Sequence, residues 1–360
     1  MTRRVVFVLA ILLIAASCAA ALEYQAVPLS PLDGYAGSLA RGISPNGLIV
    51  GSSSLGPGAY WTQPQRACYW DASGVHELPM LPGRQNSTAY AANSAGVIVG
   101  SVDGGLPSGS ACYWDAGGIH DLDSLFPEHK LNKAVDIDER GHILLSGRTP
   151  EGLITSFIWD GVTLAQLPYA SFEEQWASGS MNSQDQAVGE KSSSQGQLWD
   201  NGVVTDLQGL PDYPKTMPFD INELGDIVGC ARSSYLYKPV LWTGGNVVEL
   251  GVGLGYDYGV GCGINNGGLV AGCLYGGSRP YERACFWDAD GIHGLPLLEG
   301  TSYSTARWVN DAGWIVGMCD DGSLYTTGTP HACLWTPVPE PSGALYLLAG
   351  LVVPLVLRRR

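Results

Sequence analysis

Basic residues are scarce in this 360-residue chain: 19 Lys and Arg stand against 34 Asp and Glu, for a formal charge of −15. Five of the 19 lie at the two extreme ends (Arg3, Arg4, Arg358, Arg359 and Arg360), so the long middle is more acidic still. A surface of that sign repels phosphate backbones and anionic lipid, which excludes nucleic acid as a partner. Charged residues of either sign make up only 15% of the sequence. The usual signatures of chemistry are missing too. There is no Gly-x-Ser-x-Gly elbow, phosphate loop or His-Glu-x-x-His pair, and no Asp-rich calcium loop. The sequence therefore assigns no catalytic residue, metal or cofactor, and it reads as a non-enzyme.

The two ends carry addresses. Arg3 and Arg4 precede an apolar run from Val5 to Ala16 and the small residues Ser17 to Ala21. Basic, apolar and small segments in that order form a secretory signal over residues 1–21, with cleavage before Leu22. At the other end Pro339, Glu340 and Pro341 precede an apolar stretch from Gly343 to Leu357 and a terminal arginine cluster. Residues 338–360 resemble the PEP-CTERM sorting signal of exopolysaccharide-producing Gram-negative bacteria. The resemblance implies transient membrane insertion, an exosortase as processing partner, and delivery through the inner membrane and periplasm to the cell surface or medium.

Between the ends, glycine is abundant and short apolar segments recur. Closing glycines Gly51, Gly100, Gly147, Gly189, Gly229, Gly272 and Gly317 are 40 to 49 residues apart, the length of a propeller blade. Ahead of each stands a corner residue (Ser44, Asn93, Asp138, Asn182, Asn222, Asn265, Asn310) whose side chain caps the turn. A Gly follows three residues on in every copy but the fourth, which has Asp185. Each third strand ends in Trp: Trp70, Trp114, Trp159, Trp199, Trp242, Trp287 and Trp335. Their strict repetition favours packing between blades over service as sugar platforms.

The fold expected over 22–337 is all-β, a seven-bladed β-propeller of four-stranded antiparallel blades. The seventh unit lacks a fourth strand, while Tyr24–Leu29 has the look of one and no blade of its own. Pairing the two closes the ring and hides two sheet edges. Chain order from axis to rim places Ala40, Ala91, Ala134, Ala177 and Ala306 near the channel. The units resemble the HAF extracellular repeat family, with His331-Ala332-Cys333-Leu334-Trp335 as the nearest match. That family brings no catalytic residues to transfer.

The functional expectation is an exported binding or structural protein of an exopolysaccharide-associated layer, with extracellular polysaccharide or surface proteins as partners. The rival reading is a secreted polysaccharide hydrolase or lyase, for which acidic pairs such as Asp121-Asp123, Glu173-Glu174 and Asp320-Asp321 are candidates. His76, His120 and His293 repeat on the outermost strand, too far apart for a shared metal. Cys68, Cys112, Cys285 and Cys333 occupy an apolar repeat position, and hairpin disulfides are expected for Cys273 with Cys285 and Cys319 with Cys333. Second-to-third and blade-to-blade connections vary in length and share one end of the ring. They carry the candidate ligand-face aromatics Trp61, Tyr213, Tyr256, Tyr258, Tyr303 and Tyr325.

Overall fold

The computed structural model describes residues 22–56, 64–103, 109–167, 179–191, 194–234, 236–277, 282–321 and 328–338. The signal segment, the sorting motif, Trp61, Tyr325 and Ala177 lie outside them. Seven four-stranded antiparallel sheets follow one another, and in six of them spatial order equals chain order. The seventh sheet takes its outer strand from the N-terminus. Tyr24–Leu29 pairs along Pro330–Pro337, Tyr24 opposite Pro337 and Leu29 opposite Ala332. The ring is thus a seven-bladed β-propeller closed by its first strand, as the unpaired segment in the sequence implied.

First strands are innermost, because each lies beside the first strands of both neighbouring blades, and Tyr303–Val309 of blade seven lies beside Gly37–Ile43 of blade one. Ala40, Ala134 and Ala306 on these strands are wholly buried, and Ala91 nearly so. Six first strands carry a register shift at one repeat position, which leaves Arg41, Tyr90, Val135, Phe219, Cys262 and Arg307 as the extra residues. A β-bulge of this kind kinks the strand and swings its carbonyl across the neighbour. The closing glycine of the second strand exists for that carbonyl. A Cβ on Gly51, Gly100 or Gly317 would come within 2.0 Å of the oxygen of Leu39, Thr88 or Thr305.

Corner side chains do more than cap their own turns. Asn93 accepts from Val97 N at 3.1 Å through Oδ1, as a capping residue does, while its Nδ2 donates to Asp138 O of the next blade at 3.2 Å. The same crossing runs from Asn182 to Asn222, Asn222 to Asn265, Asn265 to Asn310, and Asn310 to Ser44. Where the corner lacks an amide, a neighbour substitutes. Asn46 reaches Ser94 O at 3.1 Å past the short Ser44, and Arg140 bridges Asp138 and Asp185 past the donorless carboxylate. The result is a belt of hydrogen bonds around the corner end.

Two more latches join blades. Indole Nε1 of Trp70, Trp114, Trp242, Trp287 and Trp335 donates to a carbonyl just beyond the preceding fourth strand, at 2.7 to 3.1 Å. Hydroxyls of Ser38, Ser87, Thr216 and Ser304 on first strands accept a third-strand amide of the blade before, at 2.8 to 3.0 Å. These five Trp are therefore interblade residues, buried because the aromatic body packs while its one donor is satisfied.

Candidate functional site

Two regions offer themselves for recognition, the variable end and the central channel. At the variable end Tyr258 begins the first strand of blade six and Tyr275 faces it across the register. Their rings are 6.0 Å apart, and Tyr237 of blade five meets Tyr275 edge-on at 5.9 Å. Tyr303 occupies the matching position in blade seven, opposite Asp320. Tyr213 and Tyr256 lie in blade-to-blade connections, each packed against a buried apolar cluster and half-exposed. Tyr258 thus joins a three-ring group with Tyr275, another variable-end aromatic of the sequence, and Tyr237, which the sequence does not single out. Tyr213 and Tyr303 stand apart on other blades.

In the channel the bulge residues divide into two arcs. Blades seven, one and two present Arg307, Arg41 and Tyr90, and blade three adds Lys133 two residues from its bulge. Blades three, five and six carry Val135, Phe219 and Cys262 at that position, and Val135 and Phe219 are buried in apolar clusters. An innermost strand has a blade on each side, so its residual exposure is to the channel. Arg41, Tyr90, Lys133 and Arg307 are half-buried there. Arg41 lies over the Tyr90 ring at 5.5 Å and Lys133 at 5.3 Å from its centroid. Burial pushes the Tyr90 phenol up, yet the Lys133 and Arg41 charges outweigh it and leave the group below its ordinary value. Nothing in the composition singled out this arc, because the bulge that aims it has no sequence signature of its own.

A third cluster is closed to solvent. Ser180 Oγ stands 2.9 Å from Asp136 Oδ2 and 2.8 Å from Asp220 Oδ1. The same carboxylates accept Met181 N and Ile264 N from the following blades. One hydroxyl carries one proton, so it donates to one carboxylate and accepts from the other, which must be protonated. Burial raises Asp136 to about 6 and Asp220 to about 7.

Of the acidic pairs in the sequence, Asp121, Asp123 and Asp321 are engaged in holding backbone. Asp121 caps the short helix Leu122–Leu125, Asp123 pairs with Lys130 and accepts Leu131 N, and Asp321 accepts Thr329 N. Asp320 is buried, and Glu173 and Glu174 fall outside the described residues. His76, His120 and His293 pair with Asp71, Asp115 and Asp288 at 2.8 to 3.0 Å and stack on Tyr69, Tyr113 and Phe286. Ser73 Oγ lies 2.8 Å from His76 Nε2, but Asp71 takes the same ring nitrogen, so no relay runs from acid through imidazole to hydroxyl. Among the described residues no group of three His, Cys, Asp or Glu is placed to hold a metal ion.

All eight described cysteines are free thiols. The expected Cys273–Cys285 bridge fails on register: Cys273 stands opposite Ala284 and Cys285 opposite Gly272, so their side chains leave opposite faces of the sheet. Cys319 stands opposite His331, two residues from Cys333 on the same face, and the two meet as hydrogen-bonded thiols. Cys68, Cys112, Cys285 and Cys333 are wholly buried, as small apolar filler is.

No protein-family model matches the chain, and no curated protein does. Its fold is similar to the β-propeller domain of the Trilobed protease from Pyrococcus furiosus, described as having an open velcro topology, at 12% identity and a TM-score of 0.54, over 84% of this chain and 95% of that one. Weaker likenesses are to TolB from Acinetobacter baumannii (10% identity, TM-score 0.41, 80% of each chain) and the Pyrococcus horikoshii acylaminoacyl peptidase (10%, 0.49, 90% of this chain and 54% of that one). These likenesses concern the fold alone. The closing N-terminal strand here sets the ring apart from an open arrangement.

Proposed function

We propose that the protein is an exported, non-catalytic propeller that binds extracellular polysaccharide or surface proteins in an exopolysaccharide-associated layer. The observation that carries this reading is the division of labour between the ends of the ring. One end is a uniform belt of corner hydrogen bonds, while the other gathers the connections that vary and the tyrosines of blades five, six and seven. Variable loops on a rigid scaffold are where recognition residues sit, and aromatic rings stack on sugar faces. The terminal segments support the address: a secretory signal at 1–21 and a PEP-CTERM-like segment at 338–360 with Pro339, Glu340 and Pro341 as the processing motif. The engagement of Asp121, Asp123 and Asp321 in capping and pairing weighs against the polysaccharide hydrolase or lyase.

The test is adhesion of the purified protein to the producer's own polysaccharide. Replacing Trp61 and Tyr256 together by Ala is expected to weaken adhesion at least tenfold while the melting temperature shows the ring still folded. Undiminished adhesion in that folded variant removes the variable end as the binding face.

A further inference from the structure

We propose that Cys262, the channel-facing thiol of blade six, exchanges with low-molecular-weight disulfides and passes the bond to Cys273, so that the two form a reversible redox pair. Exposure sets Cys262 apart from the other thiols. Six of the eight described cysteines are 0% exposed and Cys273 is 9% exposed, while Cys262 alone is half-buried. It is the extra residue of the bulge in Tyr258–Ile264, an innermost strand, so the surface it keeps is on the channel.

The register supplies the second thiol. Cys273 stands opposite Val260, two residues before Cys262, and alternation puts the side chains of Cys262 and Cys273 on one face of the sheet. Without the bulge Cys262 would stand opposite Ala271, but the extra residue sets it between Ala271 and Gly272 and draws it toward Cys273. The Cys273 thiol donates a hydrogen bond to the Cys262 sulfur. That bond, with the Arg307 charge of the next blade, outweighs burial and the Glu282 and Asp220 carboxylates and holds Cys262 below its ordinary value, whereas Cys273 is pushed well above. An exposed, acidic thiol backed by a resolving thiol is what disulfide exchange needs. The Cys262 thiolate attacks one sulfur of the incoming disulfide and expels the other half as a thiolate. Cys273 then gives up its proton and displaces the remaining half from Cys262. The two protein thiols lose two electrons and two protons in all, and the incoming disulfide gains them as two thiols.

Cys319 and Cys333 provide a comparison within the same molecule, since they too are diagonal and hydrogen-bonded but wholly buried. The test exposes the folded, reduced full chain to hydroxyethyl disulfide, alkylates the remaining thiols in denaturant, and maps the digest by mass spectrometry. The wild type is expected to form the Cys262–Cys273 bond at least tenfold faster than the Cys319–Cys333 bond, because susceptibility follows thiolate character and exposure. Dithiothreitol should return both thiols, and the melting temperature should show the ring intact throughout. Cys273→Ser should stop at a hydroxyethyl adduct on Cys262, and Cys262→Ser should leave Cys273 a thiol. An unmodified Cys262, or a wild-type adduct that Cys273 never displaces, overturns the proposal. Oxidation of Cys319 and Cys333 at the same rate also overturns it, since the reagent would then be entering through an opened fold and not through the channel.

Discussion

Gly96 and Gly100 are four residues apart and glycine for different reasons. Gly96 has φ +80° in the corner turn and nothing within 4 Å of an added Cβ, so Gly96→Ala meets only backbone strain, about 1–2 kcal/mol. Gly100 faces the carbonyl thrown out by the bulge, 2.0 Å from where its Cβ would be, with the Trp114 ring at 2.9 Å. No rotamer relieves a Cβ, so Gly100→Ala is expected to cost about 3 kcal/mol or more by displacing backbone. Urea unfolding of the two variants should separate them by well over 1 kcal/mol, and equal midpoints would refute the bulge as the reason for the closing glycine. The sequence shows both glycines as repeats but cannot tell them apart, since one answers to its own φ and the other to a strand that approaches from outside. Asp185 makes the same point from the other side. It adopts φ +62° where its six counterparts are glycine, and Arg140 from the preceding blade holds it there.

Strands of neighbouring blades meet at the Asp136–Ser180–Asp220 cluster, and the meeting depends on pH. An unfolded Asp titrates near 3.9, whereas burial raises these two to about 6 and about 7, with Asp138 adding repulsion at Asp136 and Asp136 at Asp220. The native state therefore holds protons that the unfolded chain releases. Its contribution is full below about pH 4 and is lost as pH rises through about 6 to 7. Asp220→Asn, which mimics the protonated acid, is expected to flatten that decline, read as midpoint of urea unfolding between pH 4.5 and 8. A decline of unchanged slope would place the protons elsewhere. Strand order and blade count are legible in the sequence, because Asn, Asp or Ser corners, closing glycines and terminal Trp recur with every unit. The interblade belt and the acid cluster were not, because their partners are some 40 residues apart and belong to different repeats. The Asn corner announces the turn it caps through Oδ1, but nothing in its own unit reveals where Nδ2 goes.

For the whole molecule, the decisive pairing joins residues from opposite ends of the domain, Tyr24 with Pro337 and Leu29 with Ala332. Tyr24 also donates through its hydroxyl to Gly313 O and packs its ring on Phe286 of blade six, so the closing strand ties two blades at once. Deleting Leu22 to Leu29 bares the edge of Pro330–Pro337 and is expected to lower the melting temperature by about 5 °C or more, several kcal/mol in a domain of this size. An unaltered melting temperature would show that the ring holds without its clasp. There is also a consequence in time. Tyr24–Leu29 is made first, yet the strand it needs is made last, so throughout synthesis the leading segment has no permanent place. A chain cut short anywhere before Pro330 never acquires one and keeps an unpaired strand at its front, the kind of edge that recruits other chains. The clasp thus works as a test of completeness, since only a polypeptide that carries both ends can put its first segment away.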